Sequence, residues 1–252
     1  MGGYLEDMGP YWTNRFRKEA RIWGDTPSNT AYQALELFQR LGFHDVLVPG
    51  SGYGRNTRLF SSAGFNVTGV EISDEAGSLA DGYDPSTKVR CGSVLDVAFE
   101  DASFDAVYCF NVLHLFRESE RTLLVDKCYR ELRVNGICFF VVFSEQEESR
   151  GRGEEVEENT FESKPGRPVH YFSGGDLRHH FKRFEVLDDG LVDDPEDHGD
   201  SGPHIHRLRY IACRKAAVRT CADCADYSCS ALDEILRVAP GAKANLDGLT
   251  SN

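Results

Sequence analysis

No stretch of these 252 residues approaches the length of an apolar membrane-crossing helix, so no membrane association is expected. The first residues include Arg, Glu and Trp where a secretory leader needs an apolar run, and a soluble, cytoplasmic protein is expected. Positive charge is scarce. With 28 Lys and Arg against 41 Asp and Glu, the net charge of −13 opposes attraction to a phosphate backbone and makes nucleic acid a poor partner. No internal repeat is visible. The 8 cysteines are spread over apolar segments and a C-terminal cluster, which fits a reducing compartment better than a disulfide-stapled secreted domain. The length suits one ordinary α/β domain with a short appendage and argues against a second full domain.

Among what is present, the richest stretch runs from Val46-Leu47-Val48-Pro49 through Gly50-Ser51-Gly52-Tyr53-Gly54-Arg55-Asn56 to Val67-Thr68-Gly69-Val70-Glu71. It reads as a short β-branched strand, a glycine turn, a helix, and a second strand ending in an acid. Glycines at alternate positions let the backbone turn sharply and approach a ligand where a Cβ would collide. Glu71 follows Gly50 by about 20 residues, the distance at which a βαβ unit offers a carboxylate to a ribose diol. A dinucleotide fold spaces its glycines G-x-G-x-x-G so that a helix N-terminus meets a pyrophosphate, whereas the spacing here is G-x-G-x-G.

With that glycine pattern the chain resembles the class I S-adenosylmethionine-dependent methyltransferases from about Tyr11 to Arg214. Val89-Arg90-Cys91-Gly92-Ser93-Val94, Phe99 to Tyr108, Asn111-Val112-Leu113-His114, a helix over about 119–132 and an apolar strand from Ile137 to Phe143 follow in the family's order. Tyr11 to Phe16, Ile22-Trp23-Gly24 and Pro27 look like the N-terminal helix of the tellurite-resistance and thiopurine type of small-molecule methyltransferase. The resemblance implies a Rossmann-like, doubly wound α/β fold with a seven-stranded, mostly parallel sheet and an antiparallel last strand. It also implies an N-terminal lid over 1–30, a cofactor-binding domain over 31–215 and a cysteine-bearing extension over 216–252. Two positions depart from the family pattern: Val48 and Ser93 stand where acids are usual, and binding with altered contacts is expected.

The resemblance implies that S-adenosylmethionine, and S-adenosylhomocysteine as product, meets Gly50, Ser51, Gly52, Gly54 and Asn56 at the amino-acid end and Glu71 at the ribose. Ile72, Ser93, Val94 and Asn111 complete the expected walls, with Trp12 and Trp23 as cover and Arg15 toward a carboxylate. Candidate catalytic groups are His114, just beyond the fourth strand, and His204 and His206, which alternation places on one strand face; His198 lies nearby. Packing or surface histidines are the competing reading of each. Cys221, Cys224 and Cys229, with Cys213 upstream, could close a tetrahedral zinc site, against reduced structural thiols. The polar stretch from Glu145 to Val169 is expected to be a mobile loop, either a solvated insertion or a substrate lid.

Methyl transfer from a sulfonium needs orientation and desolvation, and a base only for a hard nucleophile. The [N/D]-P-P-[Y/F] signature of amide and adenine methylation is absent, since Val112-Leu113-His114 follows Asn111. The expected function is methylation of a small molecule, with a sulfur, selenium, tellurium or arsenic nucleophile ahead of an amine or hydroxyl. The rivals are a protein or peptide methyltransferase and a non-enzymatic cofactor sensor with a metal- or redox-responsive cysteine tail. The sequence does not address oligomeric state.

Overall fold

The computed structural model describes residues 3–197 and 203–217. Helices α1 (Gly3–Glu19) and α2 (Asn29–Arg40) precede β1 (Asp45–Pro49), α3 (Thr57–Ser62), β2 (Asn66–Glu71), α4 (Asp74–Tyr83), β3 (Lys88–Cys91) and β4 (Phe104–Phe110). Then come α5 (Glu118–Glu131), β5 (Leu132–Phe143), β6 (Glu154–Glu157), β7 (Thr160–Glu162), β8 (Pro168–His170), α6 (Gly174–His180), β9 (Glu185–Asp197) and β10 (Pro203–Arg214). The main sheet has seven strands in the order β3-β2-β1-β4-β5-β10-β9. Strands β1 to β5 pair in parallel and β10 runs antiparallel to both neighbours, the expected topology.

Alternation along the strands builds a core on each face. Leu47, Val107, Cys138, Phe140 and Val142 pack with Leu124, Val125, Leu177 and Phe181 of α5, α6 and the turn after α6. Val46, Val48, Ala106, Ile137, Phe139 and Val141 face the other way, against Ala31, Ala34, Phe38 and Phe60 of α2 and α3. Burial on both faces is why these strands read as continuous apolar runs. Tyr108 takes its hydroxyl into the second core, where Ser28 Oγ at 2.7 Å and Thr30 Oγ1 at 2.9 Å satisfy it. Ser28 also caps α2, accepting from the Ala31 amide.

The polar stretch after β5 is not an irregular loop. Residues 154–170 form a three-stranded antiparallel sheet, β6-β7-β8. Asn159, with φ of +56°, makes the tight turn between β6 and β7. The polar side chains are absorbed by specific partners: Thr160 Oγ1 lies 2.8 Å from His170 Nδ1, and His170 Nε2 lies 2.6 Å from Asp176 Oδ2. Arg117 meets Glu162, and the Glu118 amide donates to Glu157. This composition reads as solvated, yet its hydrogen bonds close within the protein. Among the described residues no helix is long and apolar enough to cross a membrane.

Helix α5 offers a direct test of the core. Leu124 is 1% exposed and its neighbour Leu123 is 47% exposed. Leu124→Ala should cost about 2–5 kcal/mol in urea unfolding, whereas Leu123→Ala should stay within about 0.5 kcal/mol.

Candidate active site

The order of strands reverses between β1 and β4, and a cavity of about 380 Å³ opens there at the carboxyl ends of the parallel strands. Its floor is the glycine turn after β1. Gly50, Gly52 and Gly54 have φ of +67°, +57° and +99°, and a Cβ at Gly50 would fall 2.2 Å from Val112 Cγ2. Glu71 holds this turn from beneath. The Gly52 amide donates to Oε2 at 2.8 Å and the Ser73 amide to Oε1 at 2.9 Å. Burial raises the Glu71 pKa, opposed by these backbone donors. The carboxylate keeps acceptor capacity toward the cavity, since each oxygen carries two lone pairs.

Among the described residues, three that line the cavity carry a buried polar atom without a hydrogen-bond partner: Ser51 Oγ, Asn111 Oδ1 and Arg167 Nη1. Asn111 also adopts a left-handed φ of +55° at the end of β4, so the backbone is bent where the wall needs a polar side chain. Such orphans fit a ligand that carries hydrogen-bonding groups. Ile72, Val94 and Leu95 supply apolar wall, and Ser93 lies beside them with Oγ accepting from the Leu95 amide at 3.2 Å. A ligand with an apolar base, a diol and a polar amino-acid end suits this set, and the residues present therefore fit S-adenosylmethionine.

Helix α1 and the turn after it form the cover. Trp12, Phe16, Trp23 and Tyr53 pack ring on ring, with Phe16 and Trp23 centroids 5.9 Å apart and Trp23 stacked on Tyr53 at 6.2 Å. Tyr53 ties the cover to the glycine turn: its hydroxyl donates to Gly24 O at 2.5 Å and accepts from the Trp23 amide at 3.2 Å. Arg15 lines the cavity beneath both tryptophans, with its guanidinium 5.6 Å from each ring centroid. Asn56 reaches the cavity, but its Oδ1 is taken by the Ser28 amide at 3.0 Å.

At the far end, Phe143 is sandwiched between two histidines, His114 at 4.1 Å and His206 at 5.1 Å between centroids. His114 is buried, which lowers its pKa to about 3, with His206 and His170 adding to the effect. The Phe143 amide donates to His114 Nδ1 at 3.4 Å, so the ring proton belongs on Nε2. A neutral ring with its basic nitrogen so engaged is suited to donate a hydrogen bond, and is a weak proton acceptor. His206 is different. Its Nδ1 lies 3.0 Å from the buried Glu147 Oε1, while Glu147 Oε2 accepts from the Arg207 amide at 2.7 Å. A carboxylate on Nδ1 favours the tautomer in which Nε2 is the basic nitrogen. Glu147 is held below the usual carboxylate range by the His206 and Arg207 hydrogen bonds, against the opposing effect of burial. His204 Nε2 approaches Glu147 Oε1 at 3.5 Å, and the three ligand atoms lie within 4.8 Å of one another, a donor set also compatible with a divalent cation.

The cavity thus gathers Trp12, Arg15, Trp23, Gly50, Ser51, Gly52, Asn56, Glu71, Ile72, Ser93, Val94, Asn111, His114 and His206. Gly54 and His204 are not among its walls. Gly54 shapes the turn instead, where a Cβ would press on Asp84 and Thr57. Cys213 is fully buried in β10 within the core. Its expected companions Cys221, Cys224 and Cys229, and likewise His198, lie outside the described residues. Sequence reasoning missed Tyr53, Arg55, Asp96, Phe110, Phe143 and Arg167 as walls. Tyr53 and Arg55 were flagged only by lying between and after the glycines, and Arg167 carried no signal.

Fold and site resemble those of the class I S-adenosylmethionine-dependent methyltransferases. Specifically, residues 47–140 match the family described as methyltransferase domain. A similar curated protein, the "Probable S-adenosylmethionine-dependent methyltransferase" of Mycolicibacterium smegmatis, is 28% identical over 102 residues, 40% of this chain and 38% of that one. The chain spans about half the length of the curated relatives it matches. Among solved structures, the Burkholderia thailandensis 1,6-didemethyltoxoflavin-N1-methyltransferase, bound to 1,6-didemethyltoxoflavin and S-adenosylhomocysteine, is similar with a TM-score of 0.64 and 20% identity, covering 85% of this chain and 89% of that one. A structure described for conversion of a disulfide bond into a thioacetal group during echinomycin biosynthesis has a TM-score of 0.65 and 17% identity, covering 93% and 99%.

The state of His114 has a measurable consequence. Its pKa is depressed from 6.5 to about 3, so between those values the unfolded chain binds a proton that the folded one refuses. His114 should therefore take stability away as pH falls from about 6.5 toward about 3 and have no effect above that window. His114→Phe, which keeps the stack on Phe143, should flatten that part of a stability-against-pH profile, and an unchanged slope would contradict the assignment.

Proposed function

We propose that this chain transfers the methyl group of S-adenosylmethionine to a small-molecule acceptor. What carries the reading is the convergence, in one cavity of a methyltransferase domain, of Glu71 on the glycine turn with the orphaned Ser51 Oγ and Asn111 Oδ1. The cofactor supplies an activated methyl group with a good leaving group, and the protein's task is to bind, orient and exclude water. Glu71 would take the ribose hydroxyls, Ser93 and Val94 the adenine edge, and Asn111 with Arg15 the amino-acid end. The aromatic cover from α1 would keep water from the sulfonium, which favours displacement.

The acceptor enters at the Phe143 end. A thiol or another soft nucleophile needs little help with its proton, and the absence of a hard-nucleophile signature still favours that class. His206, oriented by Glu147, would take the proton where one must be removed, and His114 Nε2–H would orient the acceptor. Chemistry at sulfur is described for the echinomycin protein and at a ring nitrogen for the toxoflavin enzyme, so this fold accommodates both kinds of nucleophile.

Calorimetry with S-adenosylhomocysteine should show binding to the wild type, weakened in Glu71→Ala by about 1–3 kcal/mol through loss of hydrogen bonds to a buried diol. Cofactor turnover against thiols, selenite, tellurite, arsenite, amines and phenols would then rank acceptors, with the soft nucleophiles expected first. Glu147→Gln should lower kcat for amines and phenols more than for thiols. Preference for a basic peptide over every small molecule would overturn the acceptor reading, and binding of NAD in place of S-adenosylhomocysteine would overturn the cofactor.

A further inference from the structure

Three arginines, Arg15, Arg55 and Arg167, line the cavity of a protein whose net charge is −13. Arg15 pairs with Glu19 at 3.4 Å, and Arg55 donates to Trp23 O at 3.3 Å and lies 5.5 Å from the Phe110 ring centroid. Arg167 has no such arrangement. Its guanidinium lies 3.8 Å from the centroid of the Tyr11 ring, and its Nη1 is closed off from solvent with no hydrogen-bond acceptor. No carboxylate among the described residues pairs with it; burial lowers its pKa, the Tyr11 hydroxyl opposes that, and the cationic Arg15 adds to the lowering. The buried acid of the cavity, Glu71, is committed to the amides of Gly52 and Ser73.

A guanidinium N–H buried without an acceptor costs stability, and an arginine in a cavity wall with no carboxylate partner points to an anionic ligand. The planar fork of Arg matches a carboxylate bidentately. On the side of the cavity where Arg167 stands the wall is apolar and aromatic, with Met8, Trp12, Leu115, Phe116 and Val169. Resting on the methyl-transfer reading and narrowing its acceptor, we infer that Arg167 is the anchor for the carboxylate of an aromatic acid, whose ring lies against this apolar wall. The residue stands just before β8, so the small sheet would be the element that selects the acceptor, apart from the glycine turn that holds the cofactor.

One other carboxylate could reach Arg167, that of the cofactor's own methionyl end, and the experiment separates the two. Full-length protein saturated with S-adenosylhomocysteine is titrated calorimetrically with benzoate, salicylate and thiosalicylate, and with the corresponding amides. At least one acid should bind about tenfold or more tightly than its amide, the difference a charge-assisted pair supplies. Arg167→Met should abolish that preference while leaving S-adenosylhomocysteine affinity within about twofold, and Arg167→Lys, with charge but no fork, should retain part of it. Retained cofactor affinity also shows that the variants fold. Equal binding of acids and amides, or no binding of any acid up to about 10 mM, would overturn the inference. So would a loss of S-adenosylhomocysteine affinity of about tenfold in Arg167→Met, which would give the arginine to the cofactor. Failure of the wild type to bind S-adenosylhomocysteine would instead remove the methyl-transfer reading itself.

Discussion

The buried carboxylate of Glu71 is the interaction on which the site depends. It sits at the end of β2 and accepts one amide from the glycine turn after β1 and another from the start of α4, so that a single side chain fixes the relative positions of two strand ends. Among the described residues no cation pairs with it, and backbone donors offset part of its desolvation. Where the family usually places a supporting acid in the first strand, this chain has Val48, which lies in the cavity wall. Glu71 supports the turn here, and it is also the group proposed to take the ribose. A substitution at this position would loosen the floor of the cavity as well as remove a contact.

The rest of the molecule keeps that floor in place and covers it. Packing on both faces of the sheet makes the strand ends rigid, and the reversal of strand order between β1 and β4 separates the loops enough to leave a cavity. The Tyr53 hydroxyl couples the turn to the α1 cover, and the Trp12, Phe16 and Trp23 rings give that cover an apolar underside. The opposite rim belongs to β5 and β10, where Phe143, His206 and Glu147 meet. The groups proposed for the cofactor and those proposed for the acceptor therefore come from different elements, an arrangement in which acceptor preference could change without disturbing the glycine turn.

Much of this was legible in the sequence because its physical causes are local. Alternate glycines demand a turn, an acid about 20 residues later demands a returning strand, and apolar runs of strand length demand a buried parallel sheet. The small sheet was not legible. Its stability comes from pairings such as Thr160 with His170 and His170 with Asp176, which no composition rule reveals. The same applies to His206, whose chemistry depends on Glu147 some 59 residues away. His114 was expected as a candidate catalytic group; the structure places it in the cavity wall, where its hydrogen bond with Phe143 and its depressed pKa depend on the fold. The second role of Glu71, as support for the turn, required the distance to Gly52.

These relations make the central claim one about where a single ligand sits. A crystal structure of the protein grown with S-adenosylhomocysteine measures it most directly. The account predicts density with the ribose diol on Glu71, the adenine beside Ser93 and Val94, the amino-acid end near Asn111, and the Gly52 amide still on the Glu71 carboxylate. Density placing the ribose away from Glu71, or a cavity left without the ligand at saturating concentration, would contradict it.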